Sequence, residues 1–213
     1  ASFVHLHVHS EYSMLDGSAR LSDLCNRALE TGMNALALTD HGQMYGMIKF
    51  NRAARKAGIR PLFGCEVYQA PRRMTDKEPQ IDSHAYHLLL LAENETGYKN
   101  LIALVTKANL EGYYYKPRVD RELLEQHSAG ITVLSGCPSA EFHRRIQEQD
   151  REGAMAVAKY YREVFDVPPV PVLDWSAGRA TSGIVLDGAA SEGAQGIEVM
   201  LSMLPLIRIM RDA

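Results

Sequence analysis

The stretch LSDLCNRALETGMNALALTDHG, residues 21–42, sets the fold class. Leu21, Leu24, Cys25, Ala28 and Leu29 recur at helical spacing, and Gly32 ends the pattern. Shortly after it, Ala35 to Thr39 is a continuous apolar run, the pattern of a strand buried on both faces. Asp40, His41 and Gly42 follow directly. The same two patterns alternate outward from here. Helical spacing returns at Tyr98, Leu101, Ile102, Val105 and Ala108, stopped by Gly112, and again at Ala154, Val157, Ala158, Tyr161 and Phe165. Short apolar runs lie at Phe3 to Val8, Pro61 to Tyr68, His87 to Ala92 and Ile131 to Leu134. Strand–helix alternation predicts an α/β fold with a parallel sheet and crossovers, either a barrel or doubly wound. Periodicity does not choose between those two.

The 213 residues, 46% hydrophobic and 23% charged, suit one sizeable soluble core and exclude a disordered tail, a collagen or a coiled coil. There is no run of about 18 apolar residues, so no membrane partner is expected. The first residues lack the basic-then-apolar pattern of a signal peptide. Cys25, Cys65 and Cys137, odd in number and widely spaced, do not form a disulfide framework and fit a reducing cytoplasm. A net charge of −3 disfavours a free-standing binder that tracks phosphates, so any nucleic-acid substrate must be attracted by bound metals or a larger assembly.

The composition changes after Asp166. Residues 167–213 hold no His, Lys, Phe, Tyr, Asn or Cys, whereas the preceding chain holds all 8 His and all 10 Tyr. A natural linker, a fusion and a shifted reading frame in GC-rich DNA compete as origins, and the composition favours the third. Two domains are therefore expected, 1–166 and an unmatched tail, 167–213.

Chemistry concentrates before that boundary. In His5-Leu6-His7-Val8-His9, alternate residues of an extended strand project to one face. Three imidazoles on a short buried strand are costly unless their nitrogens are used, which favours metal binding over core histidines. Asp40-His41 follows a strand, where α/β enzymes place their sites; an ordinary Asp-Gly-type turn is the even alternative. Glu66 in an apolar strand needs a partner or a metal. Cys137 reads alone as a buried cysteine and, beside His and Glu, as a thiolate donor. His87 precedes its apolar run, so in a parallel sheet it would sit at the wrong end. Asp16 also reads as an Asp-Gly turn with a following helix cap. Gly112-Tyr-Tyr-Tyr-Lys-Pro-Arg118 mixes aromatics and charge; a structural Ω-type connection outweighs a nucleotide-strand contact there. Arg72-Arg73 and Arg144-Arg145 read as solvated surface. Mixed imidazole, carboxylate and thiolate donors suit Zn, Mn or Fe, and a cluster of such metals implies phosphate-ester hydrolysis.

HLHVHSEYSMLDG, ALALTDHGQMYG, IRPLFGCEVY, YHLLLLAENETGYKNL, LEGYYYKPRVD and ITVLSGC occur in that order between about Phe3 and Asp166. In them the chain resembles the polymerase-and-histidinol-phosphatase (PHP) domain of bacterial DNA polymerase III alpha subunits. The resemblance implies a distorted (β/α)7 barrel, incomplete at its C-terminal strands, with up to three divalent metals, Zn or Mn. The implied ligands are His7, His9, Asp16, His41, Glu66, His87 and Cys137, with His7, His9 and His41 assigned to catalysis. His5 ranks lower because many relatives carry Asp there, and His84 matches no motif. A last Asp and His, expected downstream, are missing, which leaves seven of nine ligands. The implied activity is that of a metal-dependent 3′–5′ exonuclease within a replicative polymerase. Its implied partners are DNA, the rest of the alpha chain and the proofreading exonuclease subunit. A non-catalytic platform for that subunit is the alternative, and a free-standing histidinol-phosphatase-like enzyme ranks third.

Overall fold

The helix and strand read from residues 21–42 form as α1 (Leu21–Glu30) and β1 (Ala35–Leu38). The computed structural model describes residues 3–14 and 16–165, with the backbone of two short strands beyond them. The chain divides into two units, Ala1–Thr132 and Val133–Ala213. In α1 the buried residues Leu21, Cys25 and Ala28 form one stripe, and Gly32 leaves the helix at φ 76°, a left-handed value that glycine adopts without strain. The helix α2 (Met47–Ala57) buries Met47, Phe50 and Ala54. These two stripes pack with Leu36, Leu38 and Ile59 into one core cluster. Phe50, fully buried in it, contributes about 1.5–3 kcal/mol by leaving water.

The strand β2 (Arg60–Gln69) organises the rest of the first unit. After it come α3 (Pro79–Asp82), β3 (Tyr86–Ala92), α4 (Glu95–Leu110), β4 (Tyr113–Tyr114), β5 (Lys116–Val119), α5 (Arg121–Gln126) and β6 (Ile131–Leu134). Two helices start on side-chain caps: Asn94 accepts the Gly97 N–H at α4, and Asp120 accepts the Leu123 N–H at α5. The sheet runs β4-β5-β2-β3-β6, with β1 paired to the first half of β2. β1 and β5 are parallel to β2, whereas β3 is antiparallel to it.

The expectation of a parallel sheet is therefore corrected: the sheet is mixed. A strand buried on both faces looks apolar throughout whichever way it runs, and the β2–β3 connection carries only the single-turn α3 instead of a crossover helix. Among the described residues the sheet is open. Phe3 to Val8, expected as a strand, is an extended segment beside β1 and joins no ladder. Its carbonyls at His5 and Val8 accept the N–H groups of Ala37 and Thr39. Two residues on one chain thus span three on the other, and that extra residue breaks the ladder. The Thr39 hydroxyl compensates by accepting the Val8 N–H at 2.9 Å.

In the second unit, α6 (Glu141–Gln147) is followed by α7 (Arg151–Val164), which buries Ala154, Val157 and Tyr161 and is capped by Asp150. β7 (Val172–Asp174) and β8 (Arg179–Thr181) pair antiparallel. The expected tail, 167–213, otherwise lies outside the described residues. No helix among the described residues is long and apolar enough to cross a membrane.

Candidate metal centre

Glu66 sits in the middle of β2 with a side chain only 1% exposed, and four imidazoles converge on it. His9 Nε2 lies 2.7 Å from Glu66 Oε2, His7 Nε2 2.9 Å and His41 Nδ1 3.3 Å; His87 Nδ1 lies 2.8 Å from Oε1. His41 arrives because the chain leaving β1 makes one further parallel bridge, opposite Glu66. His87 arrives because β3 is antiparallel, which pairs it with Tyr68, two residues from Glu66 on the same face. Strand direction thus resolves the polarity that apolar patterning leaves open. Asp16 enters from the loop before α1, its Oδ2 3.0 Å from His9 Nδ1 and 2.9 Å from His41 Nε2. Asp16 does occupy a turn, its N–H donating to the Ser13 carbonyl, but it caps no helix: the N-cap position of α1 is Arg20.

Each ring nitrogen of His9 faces a carboxylate oxygen. A neutral imidazole carries one N–H, so one of these contacts sets lone pair against lone pair unless the ring is protonated or a cation intervenes. His41 has the same problem: its Nε2 faces Asp16, and its buried Nδ1, although 3.3 Å from Glu66, makes no aligned hydrogen bond. Burial opposes charge on both rings. On His9 the two carboxylates outweigh it and raise the pKa. On His41 burial, with repulsion from His9, wins and lowers it. Burial also opposes the Glu66 charge, but the His7, His87 and His9 contacts hold its carboxyl far below the usual range. Three sets of ligand atoms are close enough to share an ion: His7–His9–Glu66, His9–Asp16–His41 and His41–Glu66–His87. Imidazole and carboxylate donors in overlapping triads fit divalent transition metals, so the residues present suit the expected cofactor.

The sequence pair Asp40-His41 separates in function. Asp40, fully buried, points away from the cluster and accepts the Ser10 N–H at 2.7 Å, the Ser10 hydroxyl at 2.9 Å and the Ser13 hydroxyl at 3.0 Å. Ser13 in turn accepts the His41 N–H. Asp40 therefore ties the loop carrying His9 and Asp16 to the end of β1. Tyr68 was also missed: its ring stacks on His41 at 5.7 Å and meets His87 edge-on at 5.3 Å. Burial pushes its hydroxyl pKa up to about 12. Its place two residues after Glu66 was the available signal. Of the seven expected ligands, six lie in the three triads. Cys137 belongs to the second unit. His5 and His84 are exposed and lie outside the triads.

The DNA polymerase III subunit alpha of Treponema pallidum (strain Nichols) is 47% identical over 167 residues, 78% of this chain and 14% of that protein. The corresponding subunit of Borreliella burgdorferi is 44% identical over 164 residues, 76% of this chain and 14% of that protein. The chain thus spans about a seventh of the length of these relatives. Among solved structures, an amidohydrolase from Chromobacterium violaceum with bound sulfate and no metal aligns with a TM-score of 0.37 and 28% identity, over 49% of this chain and 32% of that one. Residues 5–167 match the family described as PHP domain, and the chain belongs to that family.

Proposed function

We propose that this chain is the PHP module, residues 1–166, of a bacterial replicative polymerase alpha subunit working in the cytoplasm, and that its cluster is a metal-dependent phosphoesterase site acting at DNA 3′ ends. The observation that carries this reading is the double carboxylate contact of His9, an arrangement suited to binding a cation. His7, His9, Asp16, His41, Glu66 and His87 would hold up to three Zn or Mn ions. Metals bound there would polarise a phosphate oxygen and lower the pKa of a water. The protein's own part is to fix the imidazoles through Glu66 and Asp16 and to exclude bulk water beneath Glu66. By the resemblance, His7, His9 and His41 are assigned to the reacting phosphate. In this reading the open sheet is the first part of a distorted (β/α)7 barrel, residues 167–213 are an unmatched tail, and the partners are DNA, the remaining alpha chain and the proofreading subunit.

The test is metal content together with nucleotide release from the 3′ end of an oligonucleotide. Bound metal, with activity lost in His7→Ala and His41→Ala, is expected. Undiminished release by metal-free protein overturns the reading. Capture of the proofreading subunit with or without metal, and no release, replaces it with a structural platform.

A further inference from the structure

Beside the cluster stands a short hairpin that the metal chemistry does not use. β4 and β5 pair as Tyr113↔Pro117 and Tyr114↔Lys116, and Tyr115 turns between them at φ 57°. A non-glycine residue held left-handed is uncommon and needs a surrounding frame that fixes it. Arg118 provides that frame. It is fully buried and donates to the backbone carbonyls of Gly112, Asp82, Met74 and Asp76. Its guanidinium also lies 5.1 Å from the centre of the Tyr114 ring. The ring at 114 is thus spent on anchoring, while Tyr113 and Tyr115 remain 56% and 65% exposed.

The hairpin also reaches the site. β5 pairs with β2 at Tyr68↔Arg118, and Lys116 Nζ lies 5.3 Å from the centre of the Tyr68 ring. The same ring also meets His41 and His87. Among the described residues Lys116 has no carboxylate partner. The register sets Tyr113 on the face of Pro117, opposite Lys116, so the ammonium's exposed aromatic neighbour is Tyr115 at the turn. An uncompensated ammonium one ring away from the cluster, next to an exposed ring on a rigid turn, matches what a single strand presents: a phosphate with a base to stack. A small phosphate monoester would use the ammonium and leave that ring idle.

We propose that the β4–β5 hairpin is the strand platform of this site, with Lys116 pairing a backbone phosphate and Tyr115 stacking a base of a single-stranded nucleic acid end. This rests on the phosphoesterase reading and deepens it by naming the residues that hold the strand, but it is tested by binding alone. The assay is fluorescence anisotropy of a labelled thymidine oligonucleotide of about 12 nucleotides, its 3′ linkages made phosphorothioate to block hydrolysis, with the metal-loaded full chain, because a chain of net charge −3 leaves part of the attraction to bound metal. Tyr115→Asn, which keeps a residue tolerant of the left-handed turn, should weaken binding about tenfold. Lys116→Gln should reduce the salt slope by about 0.7, the share of one single-strand phosphate contact. Lys99→Gln, which removes an exposed positive charge on α4 paired with Glu95, should change neither. Thermal unfolding of each variant separates misfolding from lost contact. No binding by the parent chain, or binding that both hairpin variants retain, overturns the platform. Absent 3′ release in the metal-loaded chain counts against the phosphoesterase reading and leaves the binding result standing.

Discussion

Replacing Asp40 by asparagine isolates the clamp from the ligands it holds. The carboxylate accepts three donors, the Ser10 N–H, the Ser10 hydroxyl and the Ser13 hydroxyl, all buried with it. An asparagine oxygen can still accept from the Ser10 N–H and the Ser13 hydroxyl, and the Ser10 hydroxyl can rotate to accept from the new amide. What is lost is charge assistance on all three bonds, the reversed one included. A hydrogen bond to a charged group is worth about 1.5–3 kcal/mol and a neutral one about 0.5–1.5, so the cost is about 1 kcal/mol each and about 3 kcal/mol in sum. For a chain of this length that lowers Tm by about 6–12 °C. Because Ser13 also holds the His41 N–H, and the Ser10–Ser13 loop connects His9 to Asp16, metal affinity should fall about 10–100-fold with every ligand intact. Thermal unfolding in chelator gives the first quantity, and competition against a chromophoric chelator gives the second. Asp40→Ala, which leaves all three donors unsatisfied, should be worse on both. If Asp40→Asn matches the parent within about 0.5 kcal/mol and also keeps its metal affinity, the clamp is not what positions the loop.

Glu66→Gln removes the charge that outweighs burial at His9, so the His9 pKa should drop in an NMR titration of metal-free protein and metal retention on dialysis should fail. Metal at about 100 times its Kd should stabilise the parent by about 2.7 kcal/mol in unfolding measurements, and a chelator should reverse the gain. Asp82 is buried and held below its ordinary pKa chiefly by the Arg72 guanidinium, 2.6 Å away. A depressed carboxylate stabilises the fold above its unfolded pKa of about 4 and loses that contribution as pH falls through the lower folded value. The Tm gap between parent and Arg72→Gln should therefore be open at neutral pH and close in acid; a constant gap contradicts the pairing. Gly112→Ala would place a Cβ 2.0 Å from the Arg118 carbonyl oxygen, so the hairpin must shift, at about 1–3 kcal/mol, with faster hydrogen exchange at 113–118.

Several elements were legible in the sequence because one physical signal sufficed. α1, α4 and α7 each bury a helical stripe, and β1, β2, β3 and β6 are apolar runs. Other elements needed information that the pattern lacks. In α2 the stripe Met47, Phe50 and Ala54 is thinned by Lys49, Arg52, Arg55 and Lys56, which hides its helical spacing. The Gly112–Arg118 segment reads as a connection because its strands are two and four residues long and carry Lys and Pro, yet a single buried arginine makes it a hairpin. Arg72 reads as solvated surface and is exposed, while its guanidinium also pairs with Asp82 and Glu78. His7, His9, Asp16, His41, Glu66 and His87 were nominated from residue type and resemblance. Asp40 was nominated as half of a ligand pair when its side chain faces the other way, a distinction that depends on which neighbour supplies the donors.

The meeting of these six side chains follows from the unequal edges of β2. One edge is parallel along its length: β1 pairs with residues 60–63, His41 bridges at Glu66, and β5 pairs at Tyr68 and Gln69. The other edge is antiparallel, with β3 running from Tyr86 opposite Gln69 to Leu91 opposite Gly64. A parallel neighbour brings its C-terminal end to the C-terminal half of β2, and an antiparallel one brings its N-terminal end. His41, just after its strand, and His87, near the start of its own, therefore reach the same carboxylate from opposite sides. Reversing β3 in place would put His87 where Leu91 now lies, four residues or about 13 Å along the strand. Gly64 is where the two edges crowd most: a Cβ there would meet the Leu90 carbonyl and the Leu91 side chain at 2.6 Å and Thr39 at 2.9 Å. The glycine lets β1's exit and β3's end close on β2 together, two residues before Glu66. Strand direction, which no apolar run reveals, thus decides whether histidines placed before and after their strands become one site.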